Sequence, residues 1–360
     1  DRLRLSANPQ DSLRCFCSGG SLLKMKFQML WGLLASLGIT TIVLENPALA
    51  IDLSSNVRPF YSTVGNPYNS LANDDPFLSG VAKLSIAKNE TNAICSGALL
   101  NTGFHVLTAA HCLTDAVGNF DVDRALAQFG DESFAVNDYY IHEGWQGYSN
   151  ITLGYDIAIL ELSESVGDNI ARYDLSTEID PVGTVGYKAG YGWYGVGDFG
   201  TIGDDGQLRS GYNRYDATGD LFSDTFGLGK VSESLLVYDF DNGKIENDAL
   251  GQHFGVRDLG EGDSEVMAYA GDSGGPTFVN GAIAAITSFG FGGTEADIND
   301  TQNSSFGEFG FDTNIAFHAA WIDRQLQESR RLATARVPEP STVSVIILTG
   351  LFLFGKGRCG

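Results

Sequence analysis

The chain has 360 residues, 43% of them hydrophobic and 11% aromatic, and a formal net charge of -23. That much apolar material can pack a core and excludes a disordered chain. So acidic a balance repels phosphate backbones and argues against nucleic-acid binding. The 45 glycines beside 9 prolines suit many turns between short strands better than long helices.

In chain order, residues 1–24 precede the first methionine and read as an upstream extension with no assigned function. Lys24, Met25 and Lys26 then open an apolar run over 27–44, followed by Pro47 and Ala48-Leu49-Ala50. A basic start, an apolar stretch and an A-x-A site make 25–50 a secretory signal peptide. Residues 51–79 form an N-terminal arm, rich in Asn, Ser and Pro over its first 25 positions. From residue 80 to 327 short apolar segments alternate with Gly, Asn and Asp clusters. Strands are expected at 81–87, 98–100, 105–107, 156–162, 183–192 and 281–288. Ile315, Ala319, Ile322 and Leu326 recur at helical spacing, with Trp321 on a neighbouring face, so a helix closes this region. Residues 328–336 read as a linker.

The last segment, 337–360, carries Pro338-Glu339-Pro340, an apolar run over 343–354, then Lys356 and Arg358. In all three parts it resembles the bacterial PEP-CTERM sorting signal. The resemblance implies export to the cell envelope, transient inner-membrane anchoring and cleavage by an exosortase-type enzyme after signal peptidase has acted. The basic end keeps the far side cytoplasmic. The apolar run makes a helix of roughly 20 Å against a hydrocarbon core of about 30 Å, so the transmembrane stretch is short.

Three local sequences carry chemistry. They are Leu107-Thr108-Ala109-Ala110-His111-Cys112, Tyr155-Asp156-Ile157-Ala158-Ile159-Leu160 and Gly271-Asp272-Ser273-Gly274-Gly275-Pro276. A serine hydroxyl is a weak nucleophile unless a base adjoins it, and a carboxylate at the head of an apolar strand is costly to bury without a partner. In the order His, Asp, Ser these motifs resemble the trypsin/chymotrypsin-like serine protease family. The resemblance implies an all-β fold of two six-stranded antiparallel barrels with a C-terminal helix. It implies His111, Asp156 and Ser273 as the catalytic triad and the N–H groups of Gly271 and Ser273 as the oxyanion hole. It pairs Cys95 with Cys112, and it makes Ser288, Phe289 and Gly290 a strand that binds the substrate backbone. Cys15, Cys17 and Cys359 fall in the terminal segments.

The chain also departs from that family. A cysteine expected two residues before the oxyanion glycine is Tyr269, and the floor of the specificity pocket falls on Met267, which implies an apolar P1 preference. No Ile-Val-Gly-Gly-like activation site precedes His111; Ile51 is the nearest candidate amine, and Asp272 has that amine or another partner. The Gly/Asp-rich stretch 193–265 is longer than usual and reads as surface loops. His105, His142, His253 and His318 read as structural or solvated. Asp239-Phe240-Asp241-Asn242-Gly243 resembles part of a calcium loop without its full ligand spacing, so no metal or other cofactor is expected. The leading function is a serine endopeptidase acting on proteins or peptides. The alternatives are a noncatalytic envelope or matrix binding protein on the same fold, and an acyl hydrolase, whose Gly-x-Ser-x-Gly elbow is not the pattern here.

Overall fold

The structure, a computed structural model, describes residues 61–62, 71–89 and 91–336. The segments read as signal peptide and sorting tail lie outside the described residues. After β1 (Tyr61–Ser62) come β2 (Val81–Lys88), β3 (Thr91–Leu99), β4 (His105–Thr108), β5 (Arg124–Phe129), β6 (Glu132–Ile141) and β7 (Ala158–Leu162). The last six close into a barrel in the order β2-β3-β4-β7-β6-β5. Strand periodicity explains how one barrel serves two cores. Along β7, Ala158, Leu160 and Leu162 point into the barrel. Ile157, just ahead of it, and Ile159 point the other way, into a second core shared with Phe278, Ile283, Ile286, Trp321 and Ile322.

The second unit contains β8 (Val185–Gly190), β9 (Tyr194–Val196), β10 (Gly200–Gly203), β11 (Arg209–Arg214), β12 (Ala217–Thr218), β13 (Leu235–Asp239), β14 (Val266–Met267), β15 (Pro276–Val279), β16 (Ala282–Phe291) and β17 (Phe309–Asn314). Its main sheet has seven strands, β11-β8-β15-β16-β17-β13-β12, and does not close. The architecture is thus chymotrypsin-like with one closed barrel and one half-barrel, not two closed six-stranded barrels. The reason is local. The two edge strands β11 and β12 are joined by Tyr215 and Asp216, whose N–H groups donate outward to the carbonyls of Thr184 (3.1 Å) and Val237 (2.9 Å), so one bent segment forms both edges instead of folding back as a hairpin. The Asn213 side chain bridges instead, donating to the carbonyls of Asp239 (2.9 Å) and Val266 (2.8 Å).

The region 193–265 is not simply surface loop. It supplies three strands of the main sheet, and Phe222, Val231, Leu235, Ala249 and Leu250 form a third core with Phe309 and Phe311. Helix α1 (Ala249–Phe254) belongs to it, with Asp248 as N-cap. The arm is partly docked: β1 pairs in parallel with β14, and Leu78, in the 3-10 turn Pro76–Gly80, is fully buried. Helix α2 (Ala319–Arg336) packs Trp321 and Ile322 on the second core. It runs through 328–336, the stretch read as a linker. Ser329 explains part of that extension, because its hydroxyl is buried against His105 Nε2 at 3.0 Å.

Candidate functional site

His111 sits in a 3-10 turn, Ala110–Leu113, that follows β4. Alanines at 109 and 110 leave no side-chain bulk between this turn and the barrel, and both are fully buried. Lys88 Nζ secures the turn, donating to the Thr114 carbonyl at 2.8 Å and to the His111 carbonyl at 3.4 Å. Cys95 of β3 and Cys112 are joined in a disulfide, which ties the turn to its neighbouring strand.

Asp156 is fully buried just ahead of β7. Its charge is matched by three donors. Oδ1 accepts the His111 backbone N–H at 2.9 Å, while Oδ2 accepts His111 Nδ1–H at 2.7 Å and the Ser288 hydroxyl at 2.6 Å. Hydrogen bonds to an ionised carboxylate are the strong kind, and here they fix both the ring plane and its tautomer: the proton is on Nδ1, and Nε2 is left as the acceptor. Ser288, which the resemblance places on the substrate-binding strand, thus also touches Asp156. The backbone supplies the reason, since β16 shifts register against β17 between Thr287 and Phe289, turning Ser288 toward the carboxylate.

Ser273 approaches from the other unit. Ser96, next to the disulfide, is the connector that motif reading did not single out. Its N–H donates to the Ser273 carbonyl (2.8 Å), its hydroxyl donates to the Gly271 carbonyl (2.8 Å), and it accepts from the Tyr191 N–H (2.9 Å). One strand therefore positions both the His111 turn, through Cys95, and the Ser273 loop, through Ser96. Gly274 lies so close to the histidine segment that a Cβ would fall 2.2 Å from Thr108 Oγ1, and its φ of +76° is one that glycine adopts freely. Gly271 likewise has φ +96°. Among the described residues no hydrogen-bond acceptor takes the N–H of Gly271 or of Ser273, so both remain available to a ligand. No hydrogen bond joins His111 Nε2 to Ser273 Oγ; such contacts commonly tighten only when substrate is bound. The Tyr148 ring, half exposed, lies 5.7 Å from the His111 ring and covers one side of it.

A pocket opens beside Ser273, about 180 Å³ in volume, with walls from 268–270 and 287–290 and with Gln302, Ser304 and Glu308 completing it. Phe289 and Gly290, expected on a strand that binds the substrate backbone, line a wall of this pocket. Met267 does not. Its side chain is buried among Tyr215, Tyr238, Phe240 and Phe306, and its Cε stands behind Gly290, 3.4 Å from where a Cβ would be. The expectation of an apolar P1 side chain, built on Met267, therefore loses its basis. The carboxylate of the pocket is Glu308, contributed by a loop that no motif marked. Its Oε1 accepts the N–H groups of Asn303 (2.7 Å) and Ser305 (2.9 Å). Burial nevertheless pushes the group up to about 6, above the usual carboxylate range. Gln302 Nε2 donates to the Gly290 carbonyl at 2.6 Å, capping an acceptor on the expected substrate strand.

Asp272, beside Ser273, accepts the N–H of Gly192 (2.7 Å) on Oδ1 and of Tyr269 (3.0 Å) on Oδ2. These backbone donors are partners that the sequence left unspecified. The four other histidines stand away from Ser273. His105 bridges Thr102 and Ser329, His142 stacks on Tyr155, His253 faces Glu295 and His318 donates to the Gly154 carbonyl.

Residues 75–212 match the trypsin family model. That stretch contains His111 and Asp156 and ends before Ser273. Over 119 residues the chain is 32% identical to trypsin theta of Drosophila melanogaster, an alignment covering 31% of this chain and 42% of that protein. The chain thus matches about two fifths of that relative's length. Two solved structures are similar at a TM-score of 0.49: neuropsin, a serine protease expressed in the limbic system of mouse brain (20% identity, 71% of this chain and 96% of that one), and HL collagenase (16% identity, 76% and 99%). The similarity to trypsin-like serine proteases in sequence therefore covers less than half of the chain.

Proposed function

We propose that the chain is a serine endopeptidase in which His111, Asp156 and Ser273 act as one catalytic unit. The observation that carries this reading is the buried His111–Asp156 pair, held by three donors, beside a pocket that Ser273 lines. The Ser273 hydroxyl attacks the scissile carbonyl as His111 Nε2 takes its proton. The same nitrogen returns the proton to the leaving amine, and water then hydrolyses the acyl-enzyme by the reverse sequence. The Asp156 carboxylate, hydrogen-bonded to Nδ1, stabilises the imidazolium. The unclaimed N–H groups of Gly271 and Ser273 receive the developing oxyanion, a contribution of about 2.7–4 kcal/mol per donor in acyl-transfer sites.

The substrate backbone pairs with Ser288, Phe289 and Gly290 by strand addition and displaces the Gln302 amide. Its P1 side chain enters the pocket, where Glu308 favours a cationic group once ionised. The supports for export, envelope sorting and transient anchoring are the sequence signals at 25–50 and 337–360. Among the described residues no helix is long and apolar enough to cross a membrane. Hydrolysis of a fluorogenic peptide library by the purified protein, beside Ser273→Ala, tests the reading. Cleavage abolished by the substitution supports it. Equal cleavage by both proteins contradicts it, and absence of cleavage by a folded, processed wild type favours the noncatalytic binding role.

A further inference from the structure

Among the described residues, a group of buried carboxylates outside the groove makes no ion pair, and the one cation that acts on it, Arg257, does so on Asp248 alone. Asp239 ends β13, Asp241 follows two residues later and Asp248 caps α1. One oxygen from each lies within 4.8 Å of the other two, and each residue is only 2% exposed. Two of them have backbone donors: the Leu250 N–H reaches Asp239 Oδ2 at 2.7 Å and the Gly251 N–H reaches Asp248 Oδ1 at 2.6 Å. Asp241 differs. Its Oδ1 is buried with no hydrogen-bond partner. Among the described residues no lysine or arginine forms an ion pair with any of the three. Arg214, which acts on the adjacent Asp216, is paired with Asp258 and Glu261.

An unpartnered buried carboxylate beside two others is strongly unfavourable unless protons or a cation neutralise the group. The donor set contains only hard oxygens, with no imidazole or thiolate, which selects against zinc and copper. Calcium accepts irregular arrays of oxygens with several carboxylates, whereas magnesium demands near-octahedral order. We propose that Asp239, Asp241 and Asp248 bind a calcium ion.

The partial calcium-loop likeness of 239–243 follows from this arrangement. Two ligands come from alternate positions, and the third arrives from a helix cap rather than from the rest of a continuous loop. The ion also lies on the route to the pocket. Phe240, between two ligands, donates its N–H to the Glu308 carbonyl (3.0 Å) and accepts from the Gly307 N–H (2.8 Å). Bound calcium therefore braces the segment that carries Glu308.

The test is thermal unfolding and titration calorimetry of the purified, EGTA-treated protein at constant ionic strength, with calcium or magnesium chloride as probe. Calcium at about a hundredfold over its dissociation constant raises the midpoint by roughly 5–10 °C, and magnesium raises it less. Asp241→Asn abolishes both the shift and the binding heat, yet unfolds at a higher temperature than calcium-free wild type, because the repulsion is gone. If that variant does not fold, Asp248→Asn serves in its place. Wild type indifferent to calcium up to about 10 mM, well beyond the weak extracellular range, overturns the proposal. So do an equal calcium shift in the variant and a magnesium shift as large as that of calcium.

Discussion

Replacing Asp156 by asparagine separates a tautomer-fixing carboxylate from a merely structural one. Its two oxygens accept three hydrogen bonds, at 2.9 Å from the His111 N–H, 2.7 Å from Nδ1–H and 2.6 Å from Ser288. Asparagine offers one oxygen and one NH2 group in the same space. With the amide nitrogen in the Oδ1 position, it opposes the His111 backbone N–H, donor against donor. In the Oδ2 position it forces Nδ1 to accept, so the ring proton moves to Nε2 and the base is lost. Loss of the correct tautomer in a triad of this geometry costs about 10⁴-fold in kcat, equivalent to about 5.5 kcal/mol. Asp156 does not line the pocket, so KM changes little. Ser288→Ala removes one charge-assisted donor of the three, for about 1.5–3 kcal/mol, or roughly ten- to hundredfold. The assay is steady-state hydrolysis of a peptide amide, with near-UV circular dichroism and the unfolding midpoint as checks on folding. A folded Asp156→Asn protein within tenfold of wild-type kcat rules out a tautomer-fixing role for Asp156.

Three further outcomes follow from other parts of the molecule. Cys95 and Cys112 are 17 residues apart, so Cys95→Ser with Cys112→Ser frees a loop worth about 3 kcal/mol in the chain-entropy picture; differential scanning calorimetry shows a midpoint lower by roughly 6–12 °C. Glu308, pushed up to about 6 by burial, gains its charge as pH rises through that value. The ratio of kcat/KM for P1-Lys over P1-Leu peptides therefore climbs between about pH 5 and 7, the triad's own titration cancelling in the ratio, and Glu308→Gln flattens it. His318, held down to about 4 first by burial and then by His142, refuses a proton that the unfolded chain accepts below its ordinary 6.5. Its contribution is complete above that value, and about 3 kcal/mol is lost as pH falls through 4. In urea titrations, His318→Gln shows a shallower acid loss.

Much of the candidate site could be picked out because the chemistry proposed for it is local: His111, Asp156 and Ser273 each lie in a short run whose residue types have few other uses. The strands β2, β4, β7 and β16 were equally legible, being nearly continuous apolar stretches. Other strands hid because their polar residues are neutralised from afar. In β17, Asp312 is fully buried in contact with Lys188 of β8, and it also accepts from Tyr215 (2.6 Å) and Thr277 (2.9 Å). In β11, the buried Arg209 is paired with Asp205. Alternation cannot announce a strand whose inward residue is an arginine or an aspartate. The pocket was misread for a related reason. Counting back from Ser273 reached Met267, but the chain there turns its side chain into a core, and the pocket's carboxylate comes from 35 residues beyond the nucleophile.

Activation of Ser273 by His111 is open to a direct check by covalent labelling. The purified protein is treated with a fluorophosphonate probe beside Ser273→Ala and His111→Ala, and the labelled peptide is identified by mass spectrometry. One adduct is expected, on Ser273, lost in the first variant and slowed by several orders of magnitude in the second. Labelling of Ser273 at the same rate with and without His111, or of another serine instead, contradicts that activation.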